Sequence, residues 1–251
     1  MTITTSEEAG VRYLHFGSTW VQGAMRIARP FALELDYTRE MLLPLLLRAD
    51  DWPRRVLLIG LGAGSLTKFL WRHRPQARLT VVEIDPQVTA VARQFFKLPD
   101  DLERICIHHA DGVDFVIGDR QRYDLILVDG FDAKARAGPL DSLPFYLNCK
   151  ARLADDGLLS INLLARRNKF THSLDRLRAA FDDHVFAFAS RDAGNAIAIA
   201  GAVLPAPTFE SNLVDAAQRL KAATQLNLLP AVTNLRQTAL TPFSSENATK
   251  R

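Results

Sequence analysis

Gly60-Leu61-Gly62-Ala63-Gly64 follows a β-rich apolar run, Val56 to Ile59, and leads into a helical pattern from about Ser65. Glycines at such a junction let the backbone turn sharply and let a ligand approach it closely. Glu83 ends the next β-rich run, 23 residues after Gly60, where a carboxylate accepts hydrogen bonds from both ribose hydroxyls. Asp111, in His109-Ala110-Asp111-Gly112, follows a third run and can accept a hydrogen bond from an adenine amino group. Together these residues predict an adenosine ligand held in one half of a sheet. The spacing is GxGxG, and Gly64-Ser65-Leu66 lacks the later small residue that dinucleotide sites use. A plain reading stands beside this one, in which Asp111 only caps the helix that starts at Gly112.

The elements that must carry these residues are legible from Arg54 onward. Short β-rich runs alternate with longer helical patterns, as in a parallel sheet with crossover helices. Strands are expected at Val56 to Ile59, Leu79 to Val82, Ile105 to His108, Leu125 to Val128 and Leu158 to Asn162. Helices are expected at about Ser65 to His73, Pro86 to Phe96, Gly112 to Ile117, Leu143 to Leu153 and His172 to Phe181. Pro86 suits a first helical position behind Asp85, and Asp155-Asp156-Gly157 reads as a turn. Val185 to Ala189 and Ala196 to Ala200 flank a Gly- and Asn-containing loop, which predicts a hairpin with the last strand reversed. The expectation is an α/β fold of methyltransferase type, with a seven-stranded Rossmann-like sheet.

Residues 1–50 read as a small N-terminal β element, Val11 to Phe16 with Trp20 to Met25, followed by an apolar entry helix from Tyr37 to Leu47. Residues 51–204 form the nucleoside-binding core and 205–237 a helical segment in which Phe209, Leu213, Ala216, Ala217 and Leu220 recur at helical spacing. Residues 238–251, rich in Ser, Thr and Asn, are expected to be disordered.

Composition excludes other classes. A chain of 251 residues, 48% hydrophobic and 24% charged, with a mean hydropathy of −0.02, is that of an ordinary globular protein. The net charge of +3 and pI near 9.0 come from scattered basic residues with no dense run longer than the Arg166-Arg167 pair, so no nucleic-acid partner is expected. Cys106 and Cys149 lack the spacing of a disulfide framework or a metal site; both read as buried small apolar residues. His108 and His109 are neighbours on a strand and point to opposite faces, which argues against a shared metal. Trp20, Trp52 and Trp71 read as packing residues. Residues 1–25 lack the pattern of a secretion signal, and runs such as Met41 to Leu47 fall short of the roughly 20 apolar residues that span a bilayer. The expectation is a cytoplasmic protein with no membrane association and no metal.

From Val11 to Gly201 the chain resembles the spermidine synthase family of polyamine aminopropyltransferases. The matching segments are Val56-Leu57-Leu58-Ile59-Gly60, Val81-Val82-Glu83-Ile84-Asp85-Pro86, His109-Ala110-Asp111-Gly112 and Tyr123-Asp124-Leu125-Ile126-Leu127-Val128-Asp129. Phe145-Tyr146 and the segment Leu153 to Leu159 match as well. The resemblance implies decarboxylated S-adenosylmethionine (AdoMet) as donor and an amine acceptor that attacks the methylene beside its sulfonium. It assigns the base to Asp129, acceptor binding to Asp132 and Glu40, and donor binding to Gly60, Gly62, Gly64, Glu83, Asp111 and Gly112. A homodimer is also implied.

Departures from the family pattern keep two alternatives open. Ala63 stands where the family carries an Asp that grips the donor's amine and disfavours AdoMet itself. Thr38-Arg39-Glu40-Met41 replaces Tyr-Gln-Glu-Met, so the phenol of the acceptor site is expected to be absent. Arg39, Lys134 and Arg136 would bring cations to that site, disfavouring a polyamine and suiting an anionic acceptor. The alternatives are an AdoMet-dependent methyltransferase acting on a different small molecule, and a non-catalytic nucleoside-binding member of the family.

Overall fold

The computed structural model describes residues 2–17, 20–132, 136–165, 167–192, 194–204 and 210–240. The apolar runs after Arg54 form strands β4 (Arg55–Ile59), β5 (Arg78–Glu83), β6 (Ile105–His109), β7 (Tyr123–Val128), β8 (Leu153–Leu164), β9 (Val185–Ala189) and β10 (Asn195–Ala200). They make one sheet in the order β6-β5-β4-β7-β8-β10-β9. The first five are parallel, whereas β10 runs antiparallel to both β8 and β9, which is the expected single reversed strand. Both faces of the sheet are covered, so its strands read as unbroken apolar runs. In β4, Val56 and Leu58 pack into one buried layer and Leu57 and Ile59 into the other.

The crossover helices are α2 (Ser65–His73), α3 (Pro86–Phe96), α4 (Gly112–Gly118), α5 (Leu143–Arg152) and α6 (Arg167–Phe181). Asp85 caps α3 by accepting from the Gln87 amide at 2.8 Å with Pro86 at the first position, and Asp111 caps α4. Helix α6 starts five residues before the expected His172. The expected turn at Asp155-Asp156-Gly157 lies inside β8 as an irregularity: Tyr123 pairs with Leu153 but Leu125 with Leu158, so four residues bulge from the ladder. A Cβ on Gly157 would lie 2.8 Å from the Tyr123 carbonyl oxygen, so this excursion needs glycine.

The N-terminal sheet has three strands, β1 (Ile3–Glu8), β2 (Val11–Phe16) and β3 (Val21–Arg26). Strand β1 was not visible in the apolar pattern because all of its residues except Ile3 are exposed. The apolar entry helix expected over Tyr37 to Leu47 is instead a short helix, α1 (Asp36–Glu40), followed by a 3-10 turn at Leu43–Leu46. Pro44 lacks an amide and disfavours α conformation in the residue before it, so the helix cannot run through. At the C-terminal end the chain forms two helices, α7 (Glu210–Thr224) and α8 (Leu229–Leu240). Helix α8 includes residues 238–240, and 241–251 lie outside the described residues. No described helix is long and apolar enough to cross a membrane.

Candidate active site

The strand order reverses direction at β4, which lies between β5 and β7, and a crevice opens beyond the carboxyl ends of such strands. A cavity of about 770 Å³ occupies it. The Gly60 amide donates to the Val82 carbonyl (2.8 Å) and the Asp129 amide to the Ile59 carbonyl (2.9 Å), which ties the three strand ends together. Gly60 has φ +92°, and a Cβ there would lie 2.2 Å from the Asp129 carbonyl oxygen. The turn therefore passes against the Asp129 loop in a way that only glycine permits.

Glu83 is buried at the end of β5. Its Oε2 accepts from the Leu61 amide at 2.9 Å and its Oε1 from the Asp85 amide at 3.0 Å. Both oxygens keep a second lone pair for a ligand. Asp111 uses Oδ1 on the amides of Val113 (2.7 Å) and Asp114 (3.3 Å). The capping role is thus real, and it engages a single oxygen. Gly60, Gly62, Glu83, Asp111 and Gly112 all line the cavity; Gly64 instead stands at the N-terminus of α2 in left-handed conformation, φ +67°.

Asp129 is held from two sides. Its Oδ2 accepts from the Tyr37 hydroxyl at 3.2 Å and its Oδ1 from Asn162 Nδ2 at 2.9 Å. Burial raises the Asp129 carboxyl above the usual carboxylate range, and these two hydrogen bonds partly oppose the rise. Burial first, and then the Asp129 charge, raises the Tyr37 phenol well above its ordinary value, so it stays a donor. The Tyr37 amide is in turn fixed by Asp192 Oδ2 at 2.8 Å, joining α1 to the β9–β10 turn. Asn162 is buried, and its Oδ1 has no hydrogen-bond partner among the described residues.

Two expectations about this site are corrected. A phenol is present, because Tyr37, one residue before the segment aligned with the family's Tyr-Gln-Glu-Met, supplies it. Arg39 does not enter the cavity: it pairs with Asp36 at 2.6 Å and donates to the carbonyls of Leu33 and Glu34. Arg136 does line the cavity, but it is neutralised locally, with Nε 2.8 Å and Nη2 2.7 Å from Asp132 Oδ2. Lys134 lies outside the described residues. The described lining thus carries five carboxylates, Glu83, Asp85, Asp111, Asp129 and Asp132, against the single cation Arg136.

Glu40 is not brought to the cavity. It is buried beside α1's other face, where it accepts from the Ser190 hydroxyl and from the Arg191 amide (3.2 Å). Burial, opposed by those bonds, raises its carboxyl. Trp20 is 56% exposed at the cavity mouth, not a packing residue, and Cys106 is exposed while Cys149 is buried. Tyr37 and Asn162 were missed by sequence reasoning. Asn162 carried one signal, a polar residue inside the apolar run of β8; Tyr37 carried none, since an aromatic before an apolar stretch looks like core.

A family model described as a spermine/spermidine synthase domain matches residues 35–185. The chain is 35% identical over 236 residues to the polyamine aminopropyltransferase of Chromobacterium violaceum, a match covering 94% of this chain and 90% of the relative. It is 36% identical over 195 residues to the polyamine aminopropyltransferase of Neisseria meningitidis serogroup B, covering 78% and 74%. A probable spermidine synthase from Corynebacterium glutamicum shares the fold, with a TM-score of 0.74 at 19% identity, over 92% of this chain and 91% of that one. With the glycine turn, the acidic strand ends and these matches in agreement, the chain belongs to the spermine/spermidine synthase family of transferases.

Proposed function

We propose that the protein transfers an aminopropyl group from decarboxylated AdoMet to an amine acceptor, using the cavity at the ends of β4, β5 and β7. The observation that carries this reading is the Asp129 constellation: a carboxylate fixed by Tyr37 and Asn162, within a described lining of five carboxylates and one paired cation. Such a surface favours a sulfonium donor and an ammonium acceptor over anions.

In this reading Glu83 accepts from the ribose hydroxyls and the free Oδ2 of Asp111 accepts from the adenine amine. Asp129 takes the proton that the acceptor ammonium must lose before its nitrogen can attack. The new C–N bond forms at the methylene beside the sulfonium as the C–S bond breaks, and the sulfur keeps the electron pair in departing methylthioadenosine. Asn162 Oδ1, buried without a partner among the described residues, is placed to accept an N–H of the acceptor, which would satisfy an otherwise costly orphan. Asp132, drawn to Arg136, offers weaker attraction to the acceptor's distant ammonium. A cytoplasmic homodimer belongs to the same proposal, supported by family resemblance and by the open edge of β1.

A second reading, methyl transfer from AdoMet itself, rests on Ala63. It is buried, and a Cβ on Gly23 of β3 would lie 2.7 Å from the Ala63 Cβ. The N-terminal sheet therefore packs directly on the glycine turn, where a longer acidic side chain would collide with β3. Without that acid nothing at position 63 repels a donor carboxylate. Calorimetric titration with decarboxylated AdoMet, AdoMet and methylthioadenosine separates the readings: preference for the decarboxylated donor supports aminopropyl transfer, tighter AdoMet binding supports methyl transfer, and binding of none refutes both. Asp129→Asn is expected to lower turnover by roughly 10²- to 10⁴-fold while leaving methylthioadenosine affinity nearly unchanged.

A further inference from the structure

Behind α1, on the side away from Asp129, lies a second cavity of about 700 Å³. Four arginines line it: Arg29 from the segment after β3, Arg39 from α1, Arg72 from α2 and Arg191 from the β9–β10 turn. They meet two acids, Asp36 and Glu40. Neither acid is free. Asp36 binds Arg39 at 2.6 Å and lies 3.8 Å from Arg191, while both Glu40 oxygens are engaged by Ser190 and the Arg191 amide. Burial, aided by the neighbouring Arg72 and Arg74 charges, lowers His73 below its ordinary value, so this lining histidine adds no charge near neutral pH. The lining is therefore two positive charges in excess.

The floor of the cavity is apolar. Leu33, Phe69, Leu226 and Leu228 are buried there, and Phe31 lies under the Arg72 guanidinium at 5.2 Å. A guanidinium fork matches the oxygens of a phosphate, and several forks around one cavity suit a doubly charged tetrahedral group. The volume lies within the range of organic ligand sites.

We infer that this cavity binds an organic phosphate, its phosphate held by the excess arginines and its apolar body laid on the Leu33–Phe69–Leu228 floor. The site shares a wall with the Asp129 cavity, because α1 turns Asp36, Arg39 and Glu40 to one side and Tyr37 to the other.

The test uses the full chain with ADP and inorganic pyrophosphate as probes, each titrated by calorimetry with and without saturating methylthioadenosine. Trp71, stacked on the lining residue Phe31 at 5.8 Å, gives a fluorescence signal from behind the cavity wall. Expected are saturable ADP binding that methylthioadenosine does not displace, a Trp71 change with the same midpoint, and affinity lowered about tenfold or more in Arg29→Ala/Arg72→Ala. Arg29 and Arg72 make no ion pair among the described residues, so the variant should keep its fold and its methylthioadenosine affinity. No saturable binding at millimolar ADP would overturn the inference, as would binding that survives both substitutions or is displaced by methylthioadenosine. Pyrophosphate binding as tightly as ADP would overturn the assignment of the apolar floor. The dependence on the two arginines can be read whether or not methylthioadenosine binds, so its failure is distinguishable from failure of the proposed transferase chemistry.

Discussion

Lys68 lies one turn into α2, directly behind the glycine turn, and is 1% exposed. Its Nζ donates to the Phe96 carbonyl at 2.7 Å, and no carboxylate among the described residues pairs with it. Burial pushes its pKa down from 10.5 to about 7. Because the folded pKa is depressed, the unfolded chain binds more protons between about pH 7 and 10.5, and stability must rise with pH across that window. Below it the full cost of the buried charge is present. At about 1.36 kcal/mol per pH unit the difference amounts to about 5 kcal/mol. Lys68→Met keeps the apolar stem and removes the charge but leaves the Phe96 carbonyl without its donor, a cost of roughly 1–3 kcal/mol. The variant should therefore be more stable by roughly 2–4 kcal/mol at pH 6. Urea unfolding of both proteins from pH 6 to 11 should show that advantage holding to about pH 7, shrinking above it, vanishing between about pH 8 and 10, and then reversing, because only the missing hydrogen bond to Phe96 is left. A difference between the two proteins that does not change with pH, or a variant less stable at pH 6, would refute the reasoning.

Tyr37→Phe removes one of the two hydrogen bonds that oppose the raised pKa of Asp129. In the proposed mechanism Asp129 acts as a base only when ionised, so activity is lost as pH falls through that pKa. The acid limb of the pH–rate profile should move to higher pH, with kcat on that limb falling by roughly tenfold; an unmoved limb would show that the phenol does not act on Asp129. Gly60→Ala places a Cβ 2.2 Å from the Asp129 carbonyl oxygen at φ +92°, and thermal unfolding should show a loss of roughly 2–5 kcal/mol together with weakened donor binding. Arg136→Ala removes the cation beside Asp132, an exposed pair worth about 1 kcal/mol or less to stability. Its measurable effect should be a KM for a diamine lower by roughly threefold or more, declining with added salt.

The core of the fold was legible because burial on both faces leaves a mark in sequence order. Runs such as Val56 to Ile59 could be little else than interior strands, and the bounds of α2, α3 and β9 could be read directly from periodicity, Pro86 and Gly64. Elements without that mark were missed or misdrawn. Strand β1 exposes nearly every side chain, and the Met41 to Leu47 run looked helical until Pro44 forced a tighter turn.

The sequence by itself determined one end of the cavity, because a glycine turn and two carboxylates that follow strands act through backbone geometry set within a few residues of each. It could not determine the Asp129 end, which is assembled from α1, β7, β8 and the β9–β10 turn, segments well separated along the chain. Only the tertiary structure showed that Tyr37 and Asn162 converge on Asp129, that Arg39 and Glu40 face the other way, and that Arg136 is bound to Asp132. Charge counted along the chain suggested a basic site; charge counted in space over the described lining is acidic, because an arginine's effect depends on which carboxylate it meets.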